Sequence, residues 1–160
     1  KKFNLSYWIN PDRGELFFAK KVILLEGPTE KSVIPLLAQK LGVFKFDYTL
    51  IDCGGKTLIP QYITLLNEFN MKYVAVYDRD HQAGKTQSKI DTADRDSKLI
   101  EDVINSEIGQ SVILENDIEE EIGLTENGSR SKPYTAINHV DDNNFQVSES
   151  LKSKIKKIFE

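Results

Sequence analysis

The sequence predicts an α/β fold, a doubly wound and mostly parallel four-stranded central sheet flanked by helices, in the manner of Rossmann-like folds. Four short runs of aliphatic, β-branched and aromatic residues alternate with segments whose apolar residues have helical spacing. The first run is unbroken and ends abruptly at a polar residue, which is typical of a strand that is buried on both faces. The predicted strands lie at about 22–26, 46–51, 73–77 and 111–114.

The first predicted strand ends at an acidic residue that is followed by a turn. Glu26 is the first polar residue after the apolar run, and Gly27-Pro28 then opens a helix predicted over 29–41. Glu30 falls in the first turn of that helix. Ligands bind at the carboxyl ends of the strands in open α/β sheets, so we expect Glu26 and Glu30 to face one crevice. The favourable effect of negative charge at a helix N-terminus would by itself explain Glu30, but not Glu26.

The other predicted helices follow from apolar spacing between and after the strands. Residues 81–96 are polar without periodicity and are predicted to form a loop or a lid, and 125–129 a second loop. The helices are expected at about 58–70, around Leu99 to Ile108, before Leu124, around Ala136 to Val140, and as an amphipathic segment from Leu151 to Phe159.

Length and composition fit one globular domain. The chain has 160 residues, of which 39% are hydrophobic, and we expect a fragment because it begins with Lys-Lys instead of Met. We expect 1–21 to lead in from a missing N-terminal region, 22–140 to be the catalytic domain and 141–160 to be a C-terminal amphipathic helix. The single cysteine, Cys53, argues for a reducing, cytoplasmic compartment, and no apolar run could span a membrane.

The net charge of −4 has the wrong sign for a protein that grips nucleic acid by itself. An acidic domain can still act on nucleic acid if its carboxylates hold cations, or if another domain grips the substrate. The lysines of the last helix are expected to form a solvated face.

An acidic residue follows or ends each of the four predicted strands, namely Glu26, Asp52, Asp78 and Glu115. These ends converge in a parallel sheet. Asp78 and Asp80 are two residues apart and would point to the same side of an extended strand end. Two adjacent carboxylates repel each other unless a cation lies between them, and hard oxygen ligands favour Mg²⁺ or Mn²⁺.

Together with further carboxylates, the Asp pair provides enough oxygen ligands for two metal ions. The candidates beyond the Asp pair are Glu26, Glu30 and one or more of Glu115, Asp117 and Glu119. Two ions can stabilise the attacking and the leaving oxygen of an in-line phosphoryl displacement. Lys132 could neutralise charge that develops on the phosphate.

Two glycine-containing segments resemble nucleotide-binding loops only in part. Ala83-Gly84-Lys85-Thr86 has Arg79 where a P-loop requires glycine, so ATP binding is rejected there. The glycines of Gly54-Gly55-Lys56 could let a substrate phosphate approach the backbone, with Lys56 as a solvated or substrate-facing cation.

Several of these motifs together resemble the Toprim domain, and most of all that of the OLD (overcoming lysogenization defect) nucleases. The motifs are the run from Leu24 to Lys31, Asp78-Arg79-Asp80, Gly54-Gly55-Lys56, the entry segment from Gly14 to Lys21, Asp117-Ile118-Glu119 and Lys132-Pro133. The resemblance covers roughly residues 12–140.

The resemblance implies a metal-dependent DNA endonuclease. It places Glu26 and Glu30 at one ion and Asp78 and Asp80 at the other. Asp117 and Glu119 share in binding, Glu119 fitting best, and Lys132 assists at the transition state. It also implies an N-terminal ABC-type ATPase domain that this chain lacks, and homo-oligomers formed through missing regions. Some such nucleases serve in phage defence, including systems of the Gabija type.

Three other functions compete with this interpretation. A primase- or topoisomerase-like Toprim domain would need a polymerase region or a nucleophilic tyrosine elsewhere. A phosphoacceptor receiver-like domain would use Asp78 alone, which leaves the other acids unexplained. A non-catalytic assembly module need not retain the acids at all.

Overall fold

The computed structural model describes residues 18–124 and 131–160 of the chain. Within these stretches the strands are β1 (Lys21–Leu25), β2 (Tyr48–Asp52), β3 (Tyr73–Asp78) and β4 (Gly109–Leu114). The helices are α1 (Pro28–Lys40), α2 (Ile59–Glu68), α3 (Gln87–Glu101), α4 (Ile118–Glu121), α5 (Lys132–Asp141) and α6 (Glu149–Phe159), and a 3₁₀ turn covers Lys56–Leu58.

The four strands form one parallel sheet in the order β2-β1-β3-β4, which confirms the predicted fold class. The chain runs from β1 outward to β2 and then returns to β3 on the other side of β1. The direction of winding therefore reverses between β1 and β3. In open α/β sheets this topological switch point is where the ligand crevice forms, at the carboxyl ends of the strands.

Helices cover both faces of the sheet, which is why the central strands β1 and β3 consist almost entirely of apolar residues. Ile23 and Leu25 of β1 face a cluster that also contains buried residues of α1, α5 and α6. Val22 and Leu24 face the opposite cluster, with residues of α2 and Ile100 of α3. This alternation places two apolar layers around a sheet that is buried on both sides.

The predicted loop at 81–96 is wrong from residue 87 onward, because α3 begins there. The helix predicted to run to Ile108 is wrong beyond Glu101, where α3 ends. The buried residues of α3 are Ala93 and Ile100. With so little of its surface in the core, α3 lacks the apolar periodicity that identifies most amphipathic helices.

The C-terminal helix α6 is amphipathic as predicted and packs in the same cluster as α1. The prediction that its lysines form a solvated face is wrong for Lys154, whose side chain is 16% exposed, whereas Lys157 is exposed. Lys154 pairs with Glu121, and the Lys157 ammonium donates to the Ser111 carbonyl at 3.0 Å. Both contacts attach α6 to the polypeptide around β4.

Two predicted segments lie outside the described residues: most of the lead-in at 1–21 and the loop at 125–129. None of the helices in the described stretches is long and apolar enough to cross a membrane.

Candidate metal centre

Glu26 and Asp78 meet at the switch point between β1 and β3. Glu26 directly follows β1, and Asp78 is the last residue of β3. The backbone N–H of Asp78 donates a hydrogen bond to Oε2 of Glu26 at 3.3 Å. The two acids are 52 residues apart in the chain and are brought together because β1 and β3 are adjacent and parallel.

The side chain of Asp78 is a buried carboxyl group at the end of β3. It is 7% exposed, and its Oδ1 is buried without a hydrogen-bond partner among the described residues. The pKa of Asp78 is raised to about 9, chiefly by burial and in addition by the negative charges of Glu26, Glu30, Asp80 and Asp117. Such a group is costly to bury in its charged form unless a cation compensates it.

Glu30 caps its own helix and also faces the carboxylates around Asp78. We call this group, which comprises Glu26, Glu30, Asp78, Asp80 and Asp117, the acidic cluster. Oε2 of Glu30 accepts a hydrogen bond from the Gly27 N–H at 3.1 Å, so Glu30 caps the N-terminus of α1. It is also buried, and burial raises its pKa to about 7, with contributions from the charges of Glu26 and Glu119. Glu30 therefore both caps the N-terminus of α1 and interacts with the other carboxylates.

The pKa of Glu26 is raised chiefly by burial. The hydrogen bond from the Asp78 N–H opposes this shift, the charge of Asp80 adds to it, and the cations Lys56 and Lys85 oppose it. Glu26 thus lies between like charges and two ammonium groups.

Asp80 lies beside Asp78 but not in extended backbone. Its φ is 67°, in the left-handed region, so the premise that the two side chains share a side of an extended strand is wrong. Lys85 contacts Oδ1 of Asp80 at 3.0 Å, and Lys56 lies 3.7 Å from its Oδ2. Two cations of the chain itself therefore occupy the space beside this carboxylate.

Lys56 was predicted to be a solvated or a substrate-facing cation; it is buried, so the solvated alternative is wrong and the substrate-facing one stays a prediction. It is 7% exposed, and its ammonium donates to the Asp78 carbonyl at 2.5 Å. The ammonium also lies 5.5 Å from the centroid of the Tyr77 ring. The tip of the side chain is thus fixed against the end of β3, beneath the acidic cluster.

Gly54 and Gly55 shape the loop that delivers Lys56. Their φ values are 79° and 132°, which L-residues rarely adopt. The Gly54 N–H donates to Oδ1 of Asp52 at 2.8 Å, and the Gly55 N–H donates to the Glu26 carbonyl at 2.8 Å. Both amide groups and the Asp52 carboxylate are therefore engaged within the chain.

The acids after β4 have different surroundings. Asp117 caps α4, with Oδ1 accepting from the Glu120 N–H at 2.8 Å and Oδ2 accepting from the Gln82 amide at 3.0 Å. Glu115 points to the surface, where it lies 3.4 Å from Arg79 and its side chain is 65% exposed. Two of the four strand-end acids, Glu26 and Asp78, therefore converge, whereas Asp52 and Glu115 have other partners.

Glu119 and Lys132 form an ion pair at the edge of the acidic cluster. Oε1 of Glu119 lies 3.3 Å from the Lys132 ammonium. The charge of Glu119 raises the pKa of Lys132, and the charges of Asp117 and Glu30 add to this effect. These carboxylates therefore raise the pKa of Lys132 although its side chain is 67% exposed.

The donor set fits a hard divalent cation in its chemistry. The neighbouring carboxylates raise the pKa of Asp78, and its Oδ1 lacks a partner in the described stretches. Across residues 18–124 and 131–160, no three His, Cys, Asp or Glu side chains are already arranged to hold a metal ion. A cation would therefore have to draw these side chains together, and Asp80 would have to exchange its lysine partners for the ion.

Two residues of this region were not predicted to take part, Gln82 and Lys85. Lys85 follows Asp80 by five residues and stood out in the sequence only as part of an incomplete P-loop. A lysine five residues after an Asp-x-Asp motif is the signal that could have identified it.

The fold and the acidic cluster place the chain among α/β domains that gather carboxylates at the switch point of a parallel sheet. In sequence, residues 17–80 match the family described as "Overcoming lysogenization defect protein-like, TOPRIM domain". This match confirms the resemblance over that segment. Asp117, Glu119 and Lys132 lie beyond the matched segment.

Solved structures of OLD proteins are also similar. The C-terminal region of the Xanthomonas campestris pv. campestris OLD protein is 26% identical, with 90% of this chain and 79% of that chain covered and a TM-score of 0.48. For the C-terminal region of the Burkholderia pseudomallei OLD protein the identity is 20%, the coverage 89% and 83%, and the TM-score 0.45. No curated protein is significantly similar in sequence. Because the TM-scores are below 0.5, the resemblance to this family rests on the sequence match over residues 17–80.

Proposed function

We propose that the chain is a DNA endonuclease domain that requires Mg²⁺ or Mn²⁺ and cleaves by phosphodiester hydrolysis. The observation that carries this proposal is the state of Asp78. This carboxyl group is buried at the switch point, one of its oxygens has no partner among the described residues, and four other carboxylates act on it. A bound cation would remove the electrostatic cost of this arrangement.

The proposed ligands belong to two groups. Glu26, Glu30, Asp78 and Asp80 surround the end of β3 and form the principal set. Glu119 is the additional ligand that fits best, because both oxygens of Asp117 are already engaged, one as a helix cap and one by Gln82. The number of carboxylates is sufficient for two ions.

The chemistry divides between the cation and the chain. A divalent cation held by these acids would lower the pKa of a water molecule and neutralise charge on the phosphate. Glu26 is oriented by the Asp78 N–H, which fixes one donor oxygen before any ligand arrives. Lys132 is exposed enough to leave Glu119 and contact a phosphate oxygen, where its charge favours the transition state.

Partners follow from the family resemblance. We propose DNA as the substrate, an N-terminal ABC-type ATPase domain as the intramolecular partner, assembly into homo-oligomers and a role in the cytoplasm. The net negative charge of the chain is consistent with another region providing most of the DNA binding.

A receiver-like phosphoacceptor is the alternative with the most similar architecture. It would require Asp78 to attack a phosphodonor, but this side chain is 7% exposed and its pKa is raised to about 9. Incubation with a small phosphodonor, followed by mass measurement, separates the two functions. An added phosphate that Asp78→Asn abolishes would favour the receiver.

Nicking of supercoiled plasmid by the purified chain tests the proposal directly. We expect cleavage with Mg²⁺ or Mn²⁺, none with EDTA, and none from Asp78→Asn or Glu26→Gln. Glu115→Gln is the matched control, because it removes a carboxylate beside β4 that faces the surface. Full metal-dependent activity in Asp78→Asn would refute the assignment of that residue.

If the isolated chain does not cleave, calorimetric titration of Mn²⁺ shows whether the metal centre exists. Binding that is lost in Asp78→Asn would support the metal centre and assign DNA presentation to another domain. Absence of Mn²⁺ binding to the wild-type chain would overturn the proposal.

A further inference from the structure

A cavity of about 390 Å³ lies directly beside the acidic cluster. Glu26 and Asp80 line it on the cluster side, and α3 lines it on the other side. Three lysines from separate parts of the chain also line it: Lys56 from the 3₁₀ turn, Lys85 from the loop after β3 and Lys89 from α3. Acidic ligands and basic groups therefore share one crevice.

The three ammonium groups differ in what holds them. Lys56 is fixed to the Asp78 carbonyl, and Lys85 pairs with Asp80. The Lys89 ammonium forms no ion pair or hydrogen bond with any residue in the described stretches. The cavity thus has one uncommitted cation, and a second that a metal ion would release by binding Asp80.

The face of α3 that lines the cavity is polar along its length. Ser88, Lys89 and Thr92 all contribute to the lining, and the one apolar residue there is the small Ala93. A helix that packs on a sheet normally presents large apolar residues. This polar composition is the reason that the sequence does not reveal the start of α3.

The charge of the cavity depends on the metal centre. Three carboxylates line it, Glu26, Asp80 and Asp96, against the three lysines, and Asp96 also lies 3.5 Å from Arg95. The lining is therefore close to neutral without a metal ion. A divalent cation on Glu26 and Asp80 would make it positive, which favours an anion.

We propose that this cavity is a subsite for a backbone phosphate of the nucleic-acid substrate, adjacent to the phosphate that is cleaved. Lys89 and Lys85 are its cationic ligands, and Ser88 supplies a hydroxyl group. The subsite rests on the proposed metal-dependent function, because the cation on Asp80 frees Lys85. By linkage, a phosphodiester in the cavity strengthens metal binding to the same degree.

The test uses a dithymidine monophosphate, which carries one phosphodiester, and backbone amide NMR of the full chain with and without Mg²⁺. We expect the dinucleotide to shift amide signals over residues 85–93, and to bind more tightly with Mg²⁺. Lys89→Gln should weaken its binding about tenfold, the effect of losing one charge-assisted contact.

Lys98→Gln is the matched control on the same helix. It lies nine residues after Lys89, which is half a turn around the helix axis, and its ammonium is 3.8 Å from Asp102. This variant should bind the dinucleotide like the wild-type chain.

The outcomes separate the subsite from the metal centre. If Mg²⁺ shifts the amides of Glu26 and Asp78 but the dinucleotide leaves residues 85–93 unchanged, the subsite is refuted and the metal centre stands. An equal loss of affinity in Lys89→Gln and Lys98→Gln would also refute it. If Mg²⁺ shifts nothing, the metal centre fails, and the subsite survives only if the dinucleotide still shifts residues 85–93 in a manner that Lys89→Gln abolishes.

Discussion

Oε2 of Glu26 accepts a hydrogen bond from the backbone N–H of Asp78 at 3.3 Å, which joins the carboxyl ends of β1 and β3 at the switch point of the sheet. One acid of the cluster is thereby oriented by the main chain of another. The contact leaves the second oxygen of Glu26 and the side chain of Asp78 available to a ligand. It also brings carboxylates together, and the folded chain bears the cost of their repulsion.

The pH dependence of stability should reveal this cost. The pKa of Asp78 is raised from 3.8 to about 9 and that of Glu30 from 4.5 to about 7. Between the ordinary and the raised pKa, the folded chain keeps protons that the unfolded chain has lost. The contribution of these two groups to stability is therefore fully present below about pH 4. It falls as the pH rises and is lost above about pH 9.

Asp78→Asn should remove most of that decline. Without metal, we expect the variant to exceed the wild-type chain in free energy of unfolding by about 1–3 kcal/mol at pH 8, and by much less at pH 4. Urea titrations at the two pH values measure the difference. Glu115→Gln, at an exposed carboxylate, should follow the wild-type profile. A variant that is less stable than wild type at pH 8 would contradict the electrostatic account.

Metal binding should release protons from the same groups. Near pH 7 Asp78 and about half of the Glu30 population are protonated, since their pKa values are about 9 and about 7. A cation must displace these protons before the carboxylates can coordinate it. We expect the heat of Mn²⁺ binding at pH 7 to depend on the ionisation enthalpy of the buffer, in proportion to one to two protons released. Titrations in phosphate-free buffers of low and high ionisation enthalpy measure this number, and a buffer-independent heat would contradict it.

The fold was predictable from the sequence because the sheet is buried on both faces. That burial leaves continuous apolar runs at the central strands β1 and β3, and an acid ends or directly follows each of the four strands. The convergence of the acids was only partly predictable. Asp52 engages its own turn and Glu115 meets Arg79, whereas Glu26 and Asp78 share a hydrogen bond. Those partners depend on strand order, which a periodic pattern does not encode.

The errors in the prediction have one physical origin. Lys56 is buried because its ammonium contacts the carbonyl of Asp78, at the end of β3 and 22 residues further along the chain. The start of α3 was missed because its face toward Glu26 lines a cavity instead of the core. In both cases a polar residue has an interior position, and sequence patterns assign polar residues to the surface.

Lys56 should contribute to stability mainly by compensating the cluster. Its ammonium donates to the Asp78 carbonyl and lies beside Asp80. Lys56→Met keeps the length of the side chain but leaves the carbonyl and the carboxylates without this cation. We expect a loss of about 2–4 kcal/mol at pH 8 and a smaller loss at pH 5, where more of the cluster is protonated.

Denaturant titration of Lys56→Met at the two pH values, beside Lys98→Met on the exposed face of α3, checks this expectation. The control should change stability by less than about 0.5 kcal/mol. Equal losses at both pH values would indicate a packing role for Lys56 instead of an electrostatic one.

Gly109 should be intolerant of any side chain, because β4 begins directly against the buried Tyr73. A Cβ at position 109 would lie well inside van der Waals contact of the Tyr73 ring. The ring cannot move easily, since its hydroxyl donates to Oδ1 of Asn67 at 2.9 Å and accepts from the Asn105 N–H at 2.9 Å. We expect Gly109→Ala to cost about 2–3 kcal/mol through overpacking.

A double-mutant cycle with Tyr73→Leu identifies the cause. The smaller side chain makes room for the added methyl group, so Gly109→Ala should cost at least about 1 kcal/mol less in that background. The free energies of unfolding of the four proteins, measured in urea, give the coupling. If the cost of Gly109→Ala is the same in both backgrounds, the clash with Tyr73 is not its origin, and the backbone of β4 itself must resist the substitution.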